Sequence, residues 1–330
     1  MSALGITFGA VLAVLTADLA YRRFATRRIQ DIIENVPTFA AIPAPSRPDL
    51  RAIRIPTEDG LTLEASLDAP AHPPAGLVIF CPELNGNRWT ARHYAEALVD
   101  AGFAVLAFDF RNQGASDHQP GYAPIHWVTE FELTDVQAVL NFVDSDPELS
   151  RLPLGIFGVS RGGSAALLSA CRFPQIQAVV TDSGFSTMAM IRHFMNKFSR
   201  FVVPDWFFRR LPRWHIELVL RQTLARSERF RHCRYVHLEH EAKQFDRPVL
   251  LISGSRDSYV TPNVTMEIAE TLNCLDQIWI VDRAKHNKSR QRAKMDYDQR
   301  IVAHFRKHLS RQQIHPISSP RPDKKSSRVA

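Results

Sequence analysis

Cysteine is scarce in this 330-residue chain, and its placement excludes two classes of protein. The four thiols, Cys81, Cys171, Cys233 and Cys274, form no Cys-x-x-Cys pair. Such spacing provides neither a zinc site nor a disulfide framework, and it suits a reducing compartment. Glycine is thin, at 14 residues, and no glycine-rich nucleotide loop follows the first apolar strand, so no cofactor is implied. His93, His126 and His193 are scattered without metal-ligand spacing. Acids are outnumbered, 34 Asp and Glu against 41 Lys and Arg, for a net charge of +7. That excess favours anionic surfaces or substrates. It comes without a zinc-finger, homeodomain or RNP-type pattern, so nucleic acid is not an expected partner.

Long apolar runs are limited to one. From Ala3 to Ala20 only Thr7, Thr16, Asp18 and glycines interrupt it, and Arg22, Arg23, Arg27 and Arg28 follow. A cleavable leader needs positive charge before the run, and here the charge comes after it. By the positive-inside rule those arginines put the C-terminal body in the cytoplasm. At roughly 18 residues the run sits at the short limit for spanning a bilayer, and Asp18 is tolerable only near an interface. The expectation is a membrane-anchoring helix over residues 1–24. The alternative is a helix packed on the body of a soluble cytoplasmic protein. Pro37, Pro43, Pro45 and Pro48 mark residues 25–50 as a linker. The polar, basic residues 309–330 read as a disordered tail.

Between linker and tail, over residues 51–308, short apolar runs alternate with helical patterns. Arg51–Pro56 and Leu61–Leu67 flank Glu58-Asp59-Gly60 and read as a hairpin. Further strands are expected at Leu77–Cys81, Ala104–Phe108, Leu154–Gly158, Ala178–Asp182, Val249–Ser253 and Gln277–Val281. Helices are expected around Thr90–Ala101, Thr129–Asp144, Gly162–Cys171 and Val264–Leu272. Unalternating apolar strands separated by helices specify an α/β fold with a mainly parallel sheet covered on both faces. Residues 185–245 break the alternation with Met195, Phe198, Phe201, Trp206, Phe207, Phe208 and Trp214 among arginines. They read as a helical cap whose aromatics mostly hold it onto the sheet, a minority lining a pocket.

The sharpest local signal is Gly158-Val159-Ser160-Arg161-Gly162. It follows an apolar strand and precedes an Ala/Leu-rich helix, the setting in which a tight turn lifts a serine hydroxyl above a sheet. Ser160 is the candidate nucleophile, and the backbone N–H of Arg161, at a helix start, is a candidate oxyanion donor. A serine hydroxyl needs a base within hydrogen-bond reach. The strand Val249–Ser253 leads into a loop holding Asp257, and the strand ending at Val281 leads into one holding His286. Both side chains then project from strand C-termini beside Ser160, His286 as base and Asp257 as its orienting carboxylate. Asp182, ending another strand, is an alternative third member or a loop anchor.

The order Ser160, Asp257, His286 resembles the α/β-hydrolase superfamily over roughly residues 50–308, especially its capped esterase and acyl-aminopeptidase-like members. Asp109-Phe110-Arg111-Asn112-Gln113-Gly114-Ala115-Ser116 resembles that family's D-x-R-G-x-G-x-S loop, with Asn112 where glycine is usual. The family's His-Gly after the first parallel strand is replaced by Pro82-Glu83, and the resemblance implies that Leu84 N–H is the second oxyanion donor. The resemblance implies a serine hydrolase, carboxylesterase or lipase-like, acting on an ester, thioester or amide of a moderately apolar, small-molecule or lipid-like acyl group. An acyltransferase or peptidase with the same triad, or a non-catalytic binding protein on the fold, are the alternatives.

Overall fold

The structure is a computed structural model that describes residues 3–38, 40–198, 206 and 210–309. The expected tail beyond Leu309, and the cap residues Phe201, Phe207 and Phe208, lie outside them.

Eight strands form one sheet: β1 (Arg51–Pro56), β2 (Thr62–Asp68), β3 (Leu77–Cys81), β4 (Ala104–Phe108), β5 (Leu154–Val159), β6 (Ala178–Asp182), β7 (Val249–Gly254) and β8 (Ile278–Val281). Their order is β1-β2-β4-β3-β5-β6-β7-β8. The β1–β2 and β2–β4 pairs are antiparallel and the rest are parallel. Every residue of β3, β4, β5 and β6 is buried, which is why these strands carry unbroken apolar runs. The hydrophobic core lies on both faces of the sheet, one side around Leu133, Val136 and Leu167, the other around Tyr94, Leu98 and Phe305. Fold class and hairpin are as the alternation specifies.

The helices are α1 (Ala3–Glu34), α2 (Ala91–Asp100), α3 (Glu130–Ser145), α4 (Arg161–Arg172), α5 (Thr187–Phe198), α6 (Arg213–Arg231), α7 (Leu238–Glu241), α8 (Pro262–Thr271), α9 (Ser289–Arg292) and α10 (Lys294–His308). Local chemistry sets several ends. Thr129 and Glu132 close a capping box at the start of α3. Pro262 occupies the first turn of α8, where its missing N–H costs nothing.

Two expectations are corrected at the N-terminus. No helix among the described residues is long and apolar enough to cross a membrane. Residues 25–34 are also not linker, because α1 continues to Glu34. Ala25, Ile29 and Ile33, spaced by four, make one apolar stripe that is buried with Val219, Leu220 and Leu224 of α6. Polar pairs fix the register: Asp18 Oδ1 lies 2.7 Å from His215 Nε2, Gln30 Oε1 accepts from Arg226 Nε at 2.5 Å, and Glu34 pairs with Ser227 and Arg231. The extended segment begins only after Glu34, where the prolines do. It runs beside α2, with His93 Nε2 3.0 Å from the Pro43 carbonyl oxygen.

The C-terminal half of α1 is thus part of the cap layer. Ile33 is 1 % exposed, and Ile33→Ala is expected to lower stability by about 2–4 kcal/mol through lost contact and an unfilled cavity. Chemical denaturation of the full chain measures it; an α1 that hung free of the body would leave the midpoint unchanged.

Candidate active site

The site is assembled at the C-terminal ends of the strands from β3 to β8, beside the switch point where the chain passes from β3 to β4 on one flank and then crosses to β5 on the other. Pairing of Cys81 with Gly158 brings the exits of β3 and β5 level. Pairing of Val159 with Asp182, Asp182 with Ile252 and Gly254 with Val281 extends that alignment to β8.

Ser160 stands between β5 and α4 at φ 51°, ψ −119°. A residue with a side chain held there stores about 1–3 kcal/mol of strain, so the surroundings must over-determine it. They do so with backbone. Ser160 N–H donates to the Asp182 carbonyl oxygen at 2.8 Å, and the Ser160 carbonyl accepts from Ser164 N–H at 3.0 Å. A Cβ on Gly158 would lie 2.1 Å from the Gly162 carbonyl oxygen, and one on Gly162 would lie 2.2 Å from that of Cys81. No side chain fits at either position.

The loops after β7 and β8 are stitched together by Ser255 N–H donating to Val281 O and Arg256 N–H to Ala284 O, both at 2.9 Å. This sets Asp257 against His286. Asp257 Oδ2 lies 2.7 Å from His286 Nδ1, and Oδ1 accepts from the N–H groups of Tyr259 and Val260 at 2.9 Å each. Since a carboxylate only accepts, Nδ1 carries the proton and Nε2 is left as an acceptor. Nε2 lies 3.0 Å from Ser160 Oγ. All three side chains are buried. Hydroxyl, imidazole and carboxylate therefore form one continuous chain across three loops.

Arg161 opens α4, so its N–H has no acceptor within the helix and sits at the positive end of the dipole. Leu84, buried, follows β3 on the Pro82-Glu83 turn, which the contact of Gly162 with Cys81 and Pro82 packs against the elbow. Both expected oxyanion donors are thus on segments that meet there. Glu83, the departure from glycine, is also buried: its carboxylate accepts from Thr90 Oγ1 at 3.3 Å, and burial pushes the carboxyl up. The next turn residue, Asn85, holds φ 62° and donates its N–H to Gln113 Oε1 at 3.0 Å, tying this loop to the one after β4.

That loop after β4 is pinned by buried charge. Asp109 pairs with Arg88 and accepts from Ala115 N–H at 2.8 Å. Arg111 bridges Asp135 at 2.7 Å and Asp59 at 2.6 Å. Asn112 stands at φ 60°, the left-handed region where glycine is usual in the resembling family. Asparagine tolerates it, and here its side chain also accepts from Gln119 N–H and donates to the Tyr122 carbonyl, both at 2.8 Å.

Asp182 does not hold His286. It accepts from Ser183 Oγ, Ser289 Oγ and Tyr297 OH at 3.0, 2.9 and 3.1 Å, and burial pushes its carboxyl up to about 6. Among the described residues no group of three His, Cys, Asp or Glu is placed to hold a metal.

Three participants carried no sequence signal. The Arg161 side chain is fully buried, 2.6 Å from Glu132 Oε1 and donating to Tyr122 OH at 3.1 Å, so it bolts the elbow to the cap of α3. Tyr259 and His126 line up beside the triad, with ring centroids 5.2 Å from Tyr259 to His286 and 5.2 Å from His126 to Tyr259. Burial, then Arg161 and His286, lower His126 to about 4, so it is neutral at physiological pH. Aromatics and histidines this far apart in sequence become neighbours only through folding.

The family profile described as "alpha/beta hydrolase fold" matches residues 76–230. A Pyrococcus furiosus esterase superposes with a TM-score of 0.61 at 21% identity, over 82% of this chain and 96% of its own. A dienelactone hydrolase from Anabaena variabilis does so at 0.50 and 20%, over 79% and 98%. Among curated proteins, an uncharacterized 31.7 kDa protein of Escherichia coli is 28% identical over 111 residues, 33% of this chain and 37% of its own length. A Mycobacterium tuberculosis protein named as a phosphoribosyl transferase is 29% identical over 178 residues, 53% of this chain and 38% of its own. The chain spans under two fifths of the length of these two relatives. Sheet order and profile together give the chain the α/β-hydrolase fold.

Arg161→Met would leave Glu132 charged, buried and unpaired. Breaking such a pair is expected to cost about 3–5 kcal/mol. Adding Glu132→Leu should recover much of the loss, and a double-mutant cycle by thermal unfolding measures the coupling.

Proposed function

We propose that the chain is a serine hydrolase that cleaves an ester, thioester or amide of a moderately apolar acyl group through an acyl-enzyme on Ser160. The observation that carries this reading is the unbroken run from Ser160 Oγ through His286 to Asp257, at 3.0 and 2.7 Å.

In the proposed cycle His286 Nε2 takes the proton of Ser160 Oγ as the oxygen attacks the acyl carbonyl carbon. Asp257 holds the ring and steadies the imidazolium without taking the proton itself. Negative charge develops on the carbonyl oxygen, to be met by the N–H groups of Arg161 and Leu84. As the tetrahedral centre collapses, His286 returns the proton to the leaving alcohol, thiol or amine. Water, deprotonated by the same imidazole, then attacks the acyl-enzyme and releases the acid. Tyr259, Phe194 and Trp127 belong to one apolar cluster beside His286, which suits an apolar acyl group. Esterase and hydrolase names among the structural neighbours favour a carboxylesterase or lipase-like activity over a peptidase.

Labelling with a fluorophosphonate probe tests the proposal. Wild type should label, and Ser160→Ala and His286→Ala should not. Hydrolysis of p-nitrophenyl esters of increasing chain length should fall at least a thousandfold in both variants. Absence of labelling in folded wild-type protein would overturn the reading.

A further inference from the structure

The N-terminal half of α1 differs from its docked half in exposure. Phe8, Val11, Leu12, Val14, Leu15 and Leu19 are all exposed, between 44% and 72%. They line one broad side of the helix, and every residue from Thr7 to Ala17 is exposed. A bare apolar surface of this kind marks an interaction site.

What borders it selects the occupant. Asp18 is the only acid among residues 1–30, and it is paired with Arg22 at 2.7 Å and lies 2.7 Å from His215 Nε2. His215 stacks on Tyr21, with centroids 5.7 Å apart, and this brings its neighbour Trp214 to the same level of α1. Trp214 is 66% exposed, contrary to the expectation that the cap aromatics are packed down. Beyond this level along α1, Arg23, Arg27 and Arg28 are exposed. Along α1 the surface therefore runs from uncharged apolar, to tryptophan, to arginine.

We infer that this end of the molecule docks on the surface of an anionic phospholipid bilayer, with the first half of α1 among the acyl chains of one leaflet. The sequence of surfaces matches the profile of a bilayer: hydrocarbon, then an interfacial zone that takes aromatic rings, then phosphates that take arginine. A second copy of the chain would offer the same cationic collar, whereas phosphate headgroups complement it. Docking of this kind also differs from a spanning anchor, because the docked half of α1 stays on α6.

Flotation of the full chain with lipid vesicles tests it. Vesicles of phosphatidylglycerol and phosphatidylcholine should carry wild type at least tenfold better than phosphatidylcholine alone, less so at high salt. Leu12→Asp/Leu15→Asp and Arg23→Glu/Arg27→Glu should each reduce binding tenfold or more, with unchanged circular dichroism, and carbonate washing should release wild type. Failure of wild type to float, or full binding by the leucine variant, would overturn the inference. So would retention after carbonate, which means a crossing helix, or a dimer by light scattering that the leucine variant abolishes, which means a second copy covers the face. No readout uses Ser160 chemistry, so the two proposals fail separately.

Discussion

Between the turn after β5 and the loop after β3, main chain lies directly on main chain. A Cβ at Gly162 would fall 2.2 Å from the Cys81 carbonyl oxygen, and one at Gly158 would fall 2.1 Å from the Gly162 carbonyl oxygen. This contact holds Ser160 in a backbone conformation that an isolated chain would leave, and it brings the Leu84 segment beside the start of α4. Adjacent parallel pairing continues the alignment through β6 and β7 to β8. Asp257 and His286 reach the same place because their strands end in step with β5. Loosening the elbow would move one end of a three-residue chain whose links are only hydrogen bonds long.

Buried charge surrounds that elbow. Arg161 with Glu132, Arg111 with Asp135, and Arg88 with Asp109 are ion pairs with little access to water. Such pairs contribute little net stability against well-packed apolar side chains, but breaking one is costly. Their effect here is positional: each ties a loop at the C-terminal end of the sheet to a helix or to another loop. The elbow is bolted to α3, and the loop after β4 is bolted to both α3 and the opening hairpin. The site is built on loops, yet those loops have few alternative places to go.

The cap is organised differently. It combines α5 and α6 with the second half of α1, so the start of the chain completes a layer that otherwise belongs to an insertion between β6 and β7. Polar contacts at Asp18, Gln30 and Glu34 run along one side of the pair, and the apolar stripe at Ala25, Ile29 and Ile33 closes it. The bare half of α1 projects from this layer, and the extended segment after Glu34 carries the chain back to α2.

Much of this was legible in the amino-acid sequence, because the signals are local. Apolar runs of five or six residues between helical patterns specify buried parallel strands, and Gly-x-Ser-x-Gly between strand and helix specifies a turn with the serine at its apex. The loops holding Asp257 and His286 could be picked by their place after strands. Four things were not legible. The composition of Ala3–Ala20 suits either a bilayer or a protein surface, and only the stripe at residues 25, 29 and 33 meeting α6 shows that the helix runs on and docks. The burial of Glu83, the bolt from Arg161 to Glu132, and the placing of His126 and Tyr259 beside His286 are contacts between distant segments. The sequence by itself determined the strand and helix periods, the elbow and the residue types at the strand ends, since each depends on neighbours a few positions away. Tertiary structure alone decided which carboxylate meets the imidazole, because Asp182 ends one strand and Asp257 follows another, and only the stitching of the β7 and β8 loops gives His286 to one of them.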